Sequence, residues 1–146
     1  DALPADLVLV PGGQGTRTLA DDPAFCRWLA EWSTTASVVA SVCTGAGLLA
    51  SAGLLDGYRA TSNKLAFAWV VGRSAQVEWV PKARWVHYRD RWTSAGVAAG
   101  IDMTLALIAE LSGEDLATGL ADRIEYDWHR DADWDPFAAI NGLVEE

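Results

Sequence analysis

Short apolar runs alternate with helical segments along most of this chain. Residues 5–10 and 38–42 are dominated by Val, Leu and Ala, which predicts two short buried strands. Residues 23–32 follow two aspartates and begin with proline, a combination typical of a helix start. The other predicted elements are helices over 46–52, 64–71, 96–111 and 114–124, and strands over 59–61, 76–80, 84–88 and 91–94, the last two forming a hairpin. Strands that alternate with helices predict an α/β fold with a mainly parallel sheet and helices on both faces.

The second apolar run leads directly into a cysteine. Cys43 follows the predicted strand 38–42 and precedes the helix that starts at residue 46, so it lies on the turn between them. This arrangement is a nucleophile elbow, in which a sharp turn exposes one reactive side chain. The small residues Ser41 and Gly45 flank the cysteine, and a helix N-terminus favours a thiolate. We therefore predict a reactive thiol at Cys43.

The other cysteine has a different setting. Cys26 lies inside the predicted helix 23–32, with no turn beside it. Free cysteines are often buried and behave as small hydrophobic residues. We predict a packing function for Cys26.

A glycine-rich loop follows the first strand. Residues 11–16 read Pro-Gly-Gly-Gln-Gly-Thr, and such a loop brings backbone N–H groups close to an anion. The Lys-Ser/Thr ending of a phosphate loop is absent, and taken alone the segment is better explained as an ordinary tight turn. Ligands of parallel sheets bind beyond the carboxyl ends of the strands. We expect this loop and Cys43 to meet there.

Composition narrows the function classes. The chain has 146 residues, half of them hydrophobic (51%), which suits one domain with a sizeable core. Its formal net charge of −9 argues against nucleic-acid and membrane-surface binding, since both require clustered Lys and Arg. Two cysteines provide no disulfide framework, and no stretch has the pattern of a signal peptide or a transmembrane segment. We expect a cytoplasmic protein that acts on a small molecule.

The end of the chain, residues 125–146, is rich in aromatic and acidic residues. We expect Trp128, Trp134 and Phe137 to pack on the body or on a partner subunit, with the acids facing water. The spacing of His129 and the aspartates matches no ligand signature, so we predict neither a metal nor a cofactor. Asp102, inside the apolar helix 96–111, is expected to be a buried carboxylate that binds backbone amides. His87, on a predicted strand near the hairpin, is expected to be structural and half-exposed.

An ordered set of motifs resembles the DJ-1/PfpI superfamily, which has the class I glutamine-amidotransferase-like, flavodoxin-like fold. The motifs are Val-Leu-Val-Pro-Gly-Gly at 8–13, Ser-Val-Cys-Thr-Gly-Ala at 41–46, Ala-Gly-Leu-Leu-Asp-Gly at 52–57, Ala-Thr-Ser-Asn at 60–63 and Thr-Ser-Ala-Gly at 93–96. The resemblance spans residues 6 to about 111. The Cys-Thr pair is most similar to the isonitrile hydratase branch, and it also occurs in the sensory domains of AraC-type regulators.

The resemblance implies a site. Cys43 would be the nucleophile and the Thr44 hydroxyl would lie near the substrate, with an oxyanion site formed by the N–H groups of Gly13 and Thr44. The same comparison places Gly12, Gly45 and Asn63 in the oxyanion and substrate-binding set, and it implies a homodimer. Many relatives have a histidine directly after the cysteine or at the position of Asn63. Both are absent here, which disfavours ordinary amidase or protease chemistry.

The superfamily also places an acidic residue beside the cysteine, on the first strand and helix of the domain. No matching stretch precedes Asp6, so we expect a single domain over 1–146 that lacks its N-terminal strands. Either the chain is a fragment of a longer native protein, which we favour, or the N-terminal portion of the domain is supplied separately as a partner. The expected function is a hydro-lyase that hydrates an isonitrile to an N-substituted formamide. The alternatives are a cysteine-dependent enzyme of glyoxalase or amidase type, and a non-enzymatic redox or stress sensor. No helix-turn-helix pattern follows the domain, which disfavours a regulator.

Overall fold

Three parallel strands and one antiparallel strand form the main sheet of the computed structural model, which describes residues 3–145. The strands are β1 Leu7–Val10, β2 Val38–Val42, β3 Arg59–Ala60, β4 Glu78–Trp79, β5 Trp85–Tyr88 and β6 Arg91–Ser94. The α-helices are α1 Gly15–Ala20, α2 Pro23–Trp32, α3 Gly45–Ser51, α4 Phe67–Val71, α5 Val97–Ser112, α6 Glu114–Arg123 and α7 Phe137–Ile140. A 3-10 turn, Ser33–Thr35, follows α2.

The strand order of the main sheet is β1-β2-β6-β5. β1 pairs with β2 and β2 with β6 in parallel, while β5 and β6 form the antiparallel hairpin; β3 and β4 form a separate parallel pair. The predicted α/β fold with a mainly parallel sheet is confirmed. Val10 lies opposite Ser41, which itself lies opposite Thr93, so the carboxyl ends of the three parallel strands share one edge. The glycine-rich loop and Cys43 therefore start from adjacent positions.

Helices cover both faces of the sheet, as predicted. One cluster of buried residues joins Val8 and Val39 of the sheet to Leu29 of α2 and Leu49 of α3. On the other face Trp92 packs against Met103 of α5 together with Ala40, Trp85 and Leu107. Asp22 accepts the N–H groups of Ala24 and Phe25 (2.9 and 3.2 Å), which confirms the predicted start of α2.

Four elements differ from the prediction, and one of them is α7, for which the pattern predicts no helix. The pattern predicts no helix over residues 15–20, where α1 lies; a six-residue helix is too short to show a hydrophobic period. The predicted helix 64–71 begins only at Phe67, because Asn63 Oδ1 accepts the Ala66 N–H (2.9 Å) and holds the preceding residues in a turn. The predicted strand 76–80 is reduced to Glu78–Trp79, its only residues paired with β3.

Cys26 is buried, and its packing function is confirmed. Its Sγ lies 3.7 Å from the Leu19 carbonyl oxygen and 3.8 Å from that of Ala20. Burial raises the pKa of this thiol, with a smaller opposing effect of Arg73. The side chain therefore stays a neutral, unreactive part of the core.

Asp102 fastens the end of the chain to α5. Its carboxylate is fully buried; Oδ1 accepts the backbone N–H of His129 (2.9 Å), as expected of a carboxylate that binds backbone amides. Oδ2 also accepts Nε and Nη2 of Arg84 (2.8 and 2.6 Å), an ion pair that the sequence does not predict. The backbone N–H of Arg84 donates to the Ala132 carbonyl (2.8 Å). The Asp102 carboxylate therefore holds both the segment of Arg84 and the segment of His129 against α5.

The acids of the last segment do not all face water. Asp135 is only 2% exposed, and its Oδ1 accepts the Phe137 N–H (3.1 Å) at the start of α7. It lies near the buried Lys64, whose ammonium donates to Thr61 Oγ1. Burial lowers the pKa of Lys64 to about 8, an effect that Asp135 opposes. The expectation of solvent-facing acids is wrong for Asp135, because this buried lysine provides a compensating charge.

The aromatic residues of the segment pack unequally. The Arg130 guanidinium lies 3.8 Å above the ring of Trp128, whereas Trp134 and Phe137 remain 41% and 53% exposed. His87 is exposed and stacks on Trp92 with ring centroids 3.8 Å apart, a structural contact as predicted. Within residues 3–145, no three His, Cys, Asp or Glu side chains are grouped closely enough to hold a metal ion.

An apolar face remains exposed beside the outer strand of the sheet. A groove of about 430 Å³ runs between Leu9 of β1, Val97 and Ile101 of α5, and Leu120 and Ile124 at the end of α6. Val97 and Ile124 are 80% and 59% exposed. No strand within residues 3–145 pairs with the free side of β1. None of the helices described here has the length and apolar character that crossing a membrane would demand.

We predict that Asp102→Ala lowers the free energy of unfolding by about 3–5 kcal/mol, because the Arg84 guanidinium, only 12% exposed, loses its buried counter-charge. Glu114→Ala is the matched control: it removes the exposed ion pair with Arg130 and should cost no more than about 1 kcal/mol. Urea unfolding followed by tryptophan fluorescence measures both variants. Equal losses would show that the Asp102 ion pair does not anchor the segment.

Candidate active site

Cys43 occupies a strained turn. Its φ of 58° lies in the left-handed region, which costs a residue with a side chain about 1–2 kcal/mol. Two hydrogen bonds hold it there: its N–H donates to the Ala95 carbonyl (3.1 Å), and its own carbonyl accepts the Ser62 hydroxyl (2.8 Å). The predicted elbow is confirmed as a backbone conformation, and the cysteine is partly accessible to solvent.

The glycines explain how the loop after β1 reaches the elbow. A Cβ on Gly12 would lie 2.7 Å from Cys43 Cβ and 2.8 Å from the Thr44 nitrogen. A Cβ on Gly45 would lie 2.2 Å from the Val10 carbonyl oxygen. Both distances are far below van der Waals contact, so the two segments meet backbone to backbone. Gly45 is buried in this contact, while Gly12 lies at the surface that carries the cysteine.

The Thr44 side chain is part of a hydrogen-bond network inside the protein. Its Oγ1 accepts the Gly13 N–H (3.1 Å) and lies 3.1 Å from the Thr16 hydroxyl, which donates to the Gly13 carbonyl (2.7 Å). Thr44 is only 4% exposed. A ligand oxygen can therefore use the Gly13 N–H only after the Thr44 hydroxyl has released it. The Thr44 N–H itself donates to no acceptor within residues 3–145.

The Asn63 side chain forms no hydrogen bond with Cys43 or Thr44 among residues 3–145. Its Oδ1 is used by the Ala66 N–H, and its Nδ2 lies 3.2 Å from where a Cβ on Gly96 would stand. With Lys64, Asp135 and Phe137 it lines a small cavity of about 160 Å³. Among the described hydrogen bonds, the contact with Cys43 comes from the preceding residue, Ser62. The predicted substrate-binding function of Asn63 stays a prediction.

Two residues of this arrangement escape the sequence analysis. Thr16 belongs to the predicted loop, and its buried hydroxyl joins Gly13 to Thr44. No pattern in the sequence distinguishes this threonine from one that faces solvent. Arg17 follows it, with Nη1 3.5 Å from Thr16 Oγ1 and its guanidinium 4.7 Å above the ring of Trp69. This cation sits next to the threonine network.

The sequence of this chain matches a known protein family. The DJ-1/PfpI family profile matches residues 1–110, most of the chain, including Cys43, Thr44 and the glycine loop. The chain belongs to the DJ-1/PfpI family. Its resemblance to that family, inferred from the motifs, is thereby confirmed.

Individual relatives of this DJ-1/PfpI chain differ in what their names say they do. Isonitrile hydratase from Pseudomonas putida is 34% identical over 128 residues, covering 83% of this chain and 52% of the relative. The HTH-type transcriptional regulator CdhR from Pseudomonas aeruginosa is 33% identical over 117 residues, covering 80% of this chain and 34% of the relative. The chain thus spans about half, or less, of the length of these relatives.

Solved structures agree with the fold. A ThiJ/PfpI family protein from Pseudomonas syringae superimposes with a TM-score of 0.71 at 36% identity, over 85% of this chain and 50% of that one. Drosophila melanogaster DJ-1beta superimposes with a TM-score of 0.70 at 21% identity, covering 84% of this chain and 65% of that one. At that identity the second likeness concerns the fold alone.

Replacing Gly12 by alanine should separate the loop from the elbow, because the added Cβ has no room beside Cys43. We predict a loss of about 1–3 kcal/mol in unfolding free energy, together with altered alkylation of Cys43. Gly15→Ala is the control, since a Cβ there meets nothing within 4 Å. Thermal unfolding and thiol labelling of both variants provide the measurement; indistinguishable variants would contradict this packing.

Proposed function

We propose that this chain is the cysteine-bearing part of an isonitrile hydratase-like hydro-lyase. The observation that carries the proposal is Cys43 on its left-handed turn, directly before a threonine whose hydroxyl reaches the glycine loop. The 34% identity to isonitrile hydratase from Pseudomonas putida supports the same chemistry. The reaction adds water to an isonitrile and yields an N-substituted formamide.

The proposed mechanism is covalent. The Cys43 thiolate attacks the terminal carbon of the isonitrile, which forms a C–S bond, and an acid protonates that carbon to give a thioimidate. Water then adds to the carbon and a proton is taken up by the nitrogen. Breaking the C–S bond releases the formamide and the thiolate, while the proton of the added hydroxyl group returns to the conjugate base of the acid. Two moderate steps replace one difficult addition of water, and the net change is one water per isonitrile.

Residues around the cysteine have distinct tasks in this proposal. The unpaired Thr44 N–H donates to charge that develops on the substrate, and the Gly13 N–H joins it when the Thr44 hydroxyl turns from Gly13 toward the substrate. Gly12 keeps the loop close enough for this exchange, and Gly45 keeps the helix seated on β1. The scheme requires no cofactor.

A second candidate is a non-enzymatic sensor domain. HTH-type transcriptional regulators are among the relatives, one of them 33% identical over 80% of this chain. The buried Thr44 hydroxyl favours this candidate, since it already accepts the Gly13 N–H and so withholds one of the two oxyanion donors. In a sensor the same cysteine would bind or be oxidised without turnover, and in a glyoxalase-type enzyme it would attack a carbonyl carbon instead.

The acid of the mechanism is proposed to come from a further portion of the domain. No carboxylate within residues 3–145 is hydrogen-bonded to Cys43 or Thr44. Leu9 of β1 lines both the apolar groove along α5 and a second apolar cavity of about 360 Å³. A portion of the domain that pairs with the free side of β1 would cover both. We propose that this face is where the N-terminal part of the domain binds; a second copy of the chain is the alternative occupant.

Cys43→Ala should abolish formation of formamide from a small isonitrile while leaving the fold intact, because the nucleophile is removed from a partly accessible position on the turn. Product analysis by mass spectrometry on the complete protein measures it. Cys26→Ala is the control and should retain turnover, since that thiol is buried away from the elbow. Full activity of Cys43→Ala would refute the mechanism, and oxidation of Cys43 without any product would favour the sensor.

Ile101→Glu tests the proposed cover. If the face is buried in the complete protein, the new carboxylate loses its water, and we predict a fall of several degrees in the unfolding midpoint. Leu65→Glu is the control because Leu65 is 86% exposed and lies outside the groove. Equal midpoints would contradict a covered face, whereas conversion of a dimer to a monomer would identify a second copy as the occupant.

A further inference from the structure

Arg17 lies beside the threonine network of the candidate site and has no anionic partner among residues 3–145. Its Cζ lies 4.7 Å from the centroid of the Trp69 ring, and its Nη1 lies 3.5 Å from Thr16 Oγ1. Thr16 Oγ1 is in turn 3.1 Å from the hydroxyl of Thr44, the residue after the cysteine. A single hydroxyl group therefore separates this cation from the threonine of the elbow.

A second arginine on the same ring shows the contrast. Arg73 lies 5.6 Å from the centroid of Trp69, but its Nη2 is bound to Asp21 (2.8 Å) and to the Ala20 carbonyl (2.7 Å). Asp21, which follows α1, is thereby occupied. No carboxylate within residues 3–145 forms an ion pair with Arg17.

The contact with Trp69 uses none of the hydrogen-bond donors of Arg17. A cation–π interaction is made by the charge of the guanidinium, so the ring accepts no N–H group that a ligand would need. Its one hydrogen bond to the protein, with Thr16, is long at 3.5 Å. The fork that remains matches the geometry of a carboxylate, which it can bind through two parallel hydrogen bonds.

We propose that Arg17 forms an anion-binding subsite of the candidate active site, which selects substrates that carry a carboxylate or a similar anionic group near the reacting carbon. The net charge of −9 repels such molecules at long range, so a local cation is needed to retain them. The inference rests on the proposed function only in naming the isonitrile as the reacting group. The subsite itself depends on the position of Arg17.

Alkylation of Cys43 tests the subsite without any isonitrile. Iodoacetate and iodoacetamide react with a thiolate in the same way, but only iodoacetate carries a negative charge. Peptide mass mapping follows the rate of each reaction at Cys43. The iodoacetate rate divided by the iodoacetamide rate should fall about three- to tenfold in Arg17→Gln, as expected for loss of one charge at close range. High salt should reduce the ratio of the unmodified protein in the same direction.

Two further variants control this measurement. Arg73→Gln removes a cation from the same ring and should leave the ratio unchanged, because its charge is already neutralised by Asp21. Arg17→Lys keeps the charge and should retain most of the ratio. Circular dichroism establishes that each variant is folded. An unchanged ratio in Arg17→Gln would overturn the subsite, as would an equal fall in Arg73→Gln.

Turnover then separates the subsite from the proposed function. With an isonitrile that bears a carboxylate and with its methyl ester, Arg17→Gln should lower kcat/KM for the acid selectively. If the unmodified protein hydrates neither compound while the alkylation ratio still responds to Arg17, the subsite stands and the hydratase proposal fails. If both are hydrated with no dependence on Arg17, the hydratase stands and the anionic specificity is refuted.

Discussion

The left-handed turn at Cys43 is the constraint on which the rest of this structure depends. A residue with a side chain adopts that conformation only when its surroundings fix it. Here the fixing comes from three directions: Ala95 after β6, Ser62 after β3, and the loop of Gly12 that follows β1. Three strand ends thus converge on one peptide. The main sheet brings the segments after β1 and β6 to the same edge as Cys43, and the separate β3–β4 pair supplies Ser62. The candidate site is a direct product of that convergence.

Patterns along the chain predict the scaffold well because they reflect local physics. The apolar run 38–42 and the small residues around Cys43 indicate a strand that ends in a crowded turn, and that is what the structure contains. Asp22 before Pro23 indicates a capped helix for an equally local reason. The meeting of the glycine loop with the elbow also follows, since both lie at the carboxyl ends of adjacent parallel strands.

Such local patterns do not predict contacts between residues that are far apart in the sequence. Thr16 and Thr44 are 28 residues apart, and nothing in either neighbourhood shows that their hydroxyl groups meet. Asp135 sits in a polar, proline-containing stretch that suggests exposure, yet it is buried because Lys64 of another segment lies near it. The Arg84 partner of Asp102 is hidden in the same way. In each case the position of one side chain is decided by a residue that local sequence does not connect to it.

The geometry separates two properties that a cysteine enzyme combines. Nucleophilic attack requires only the turn, the accessible thiol and a nearby N–H, and this chain supplies them from its own residues. Turnover also requires an acid at the reacting carbon, and the two most buried carboxylates, Asp102 and Asp135, are bound to Arg84 and to the start of α7. Neither is free to move a proton at Cys43. We therefore expect these residues alone to allow alkylation or oxidation of Cys43 without turnover. In the proposed function, catalysis requires in addition a carboxylate from the proposed further portion of the domain, placed beside Cys43.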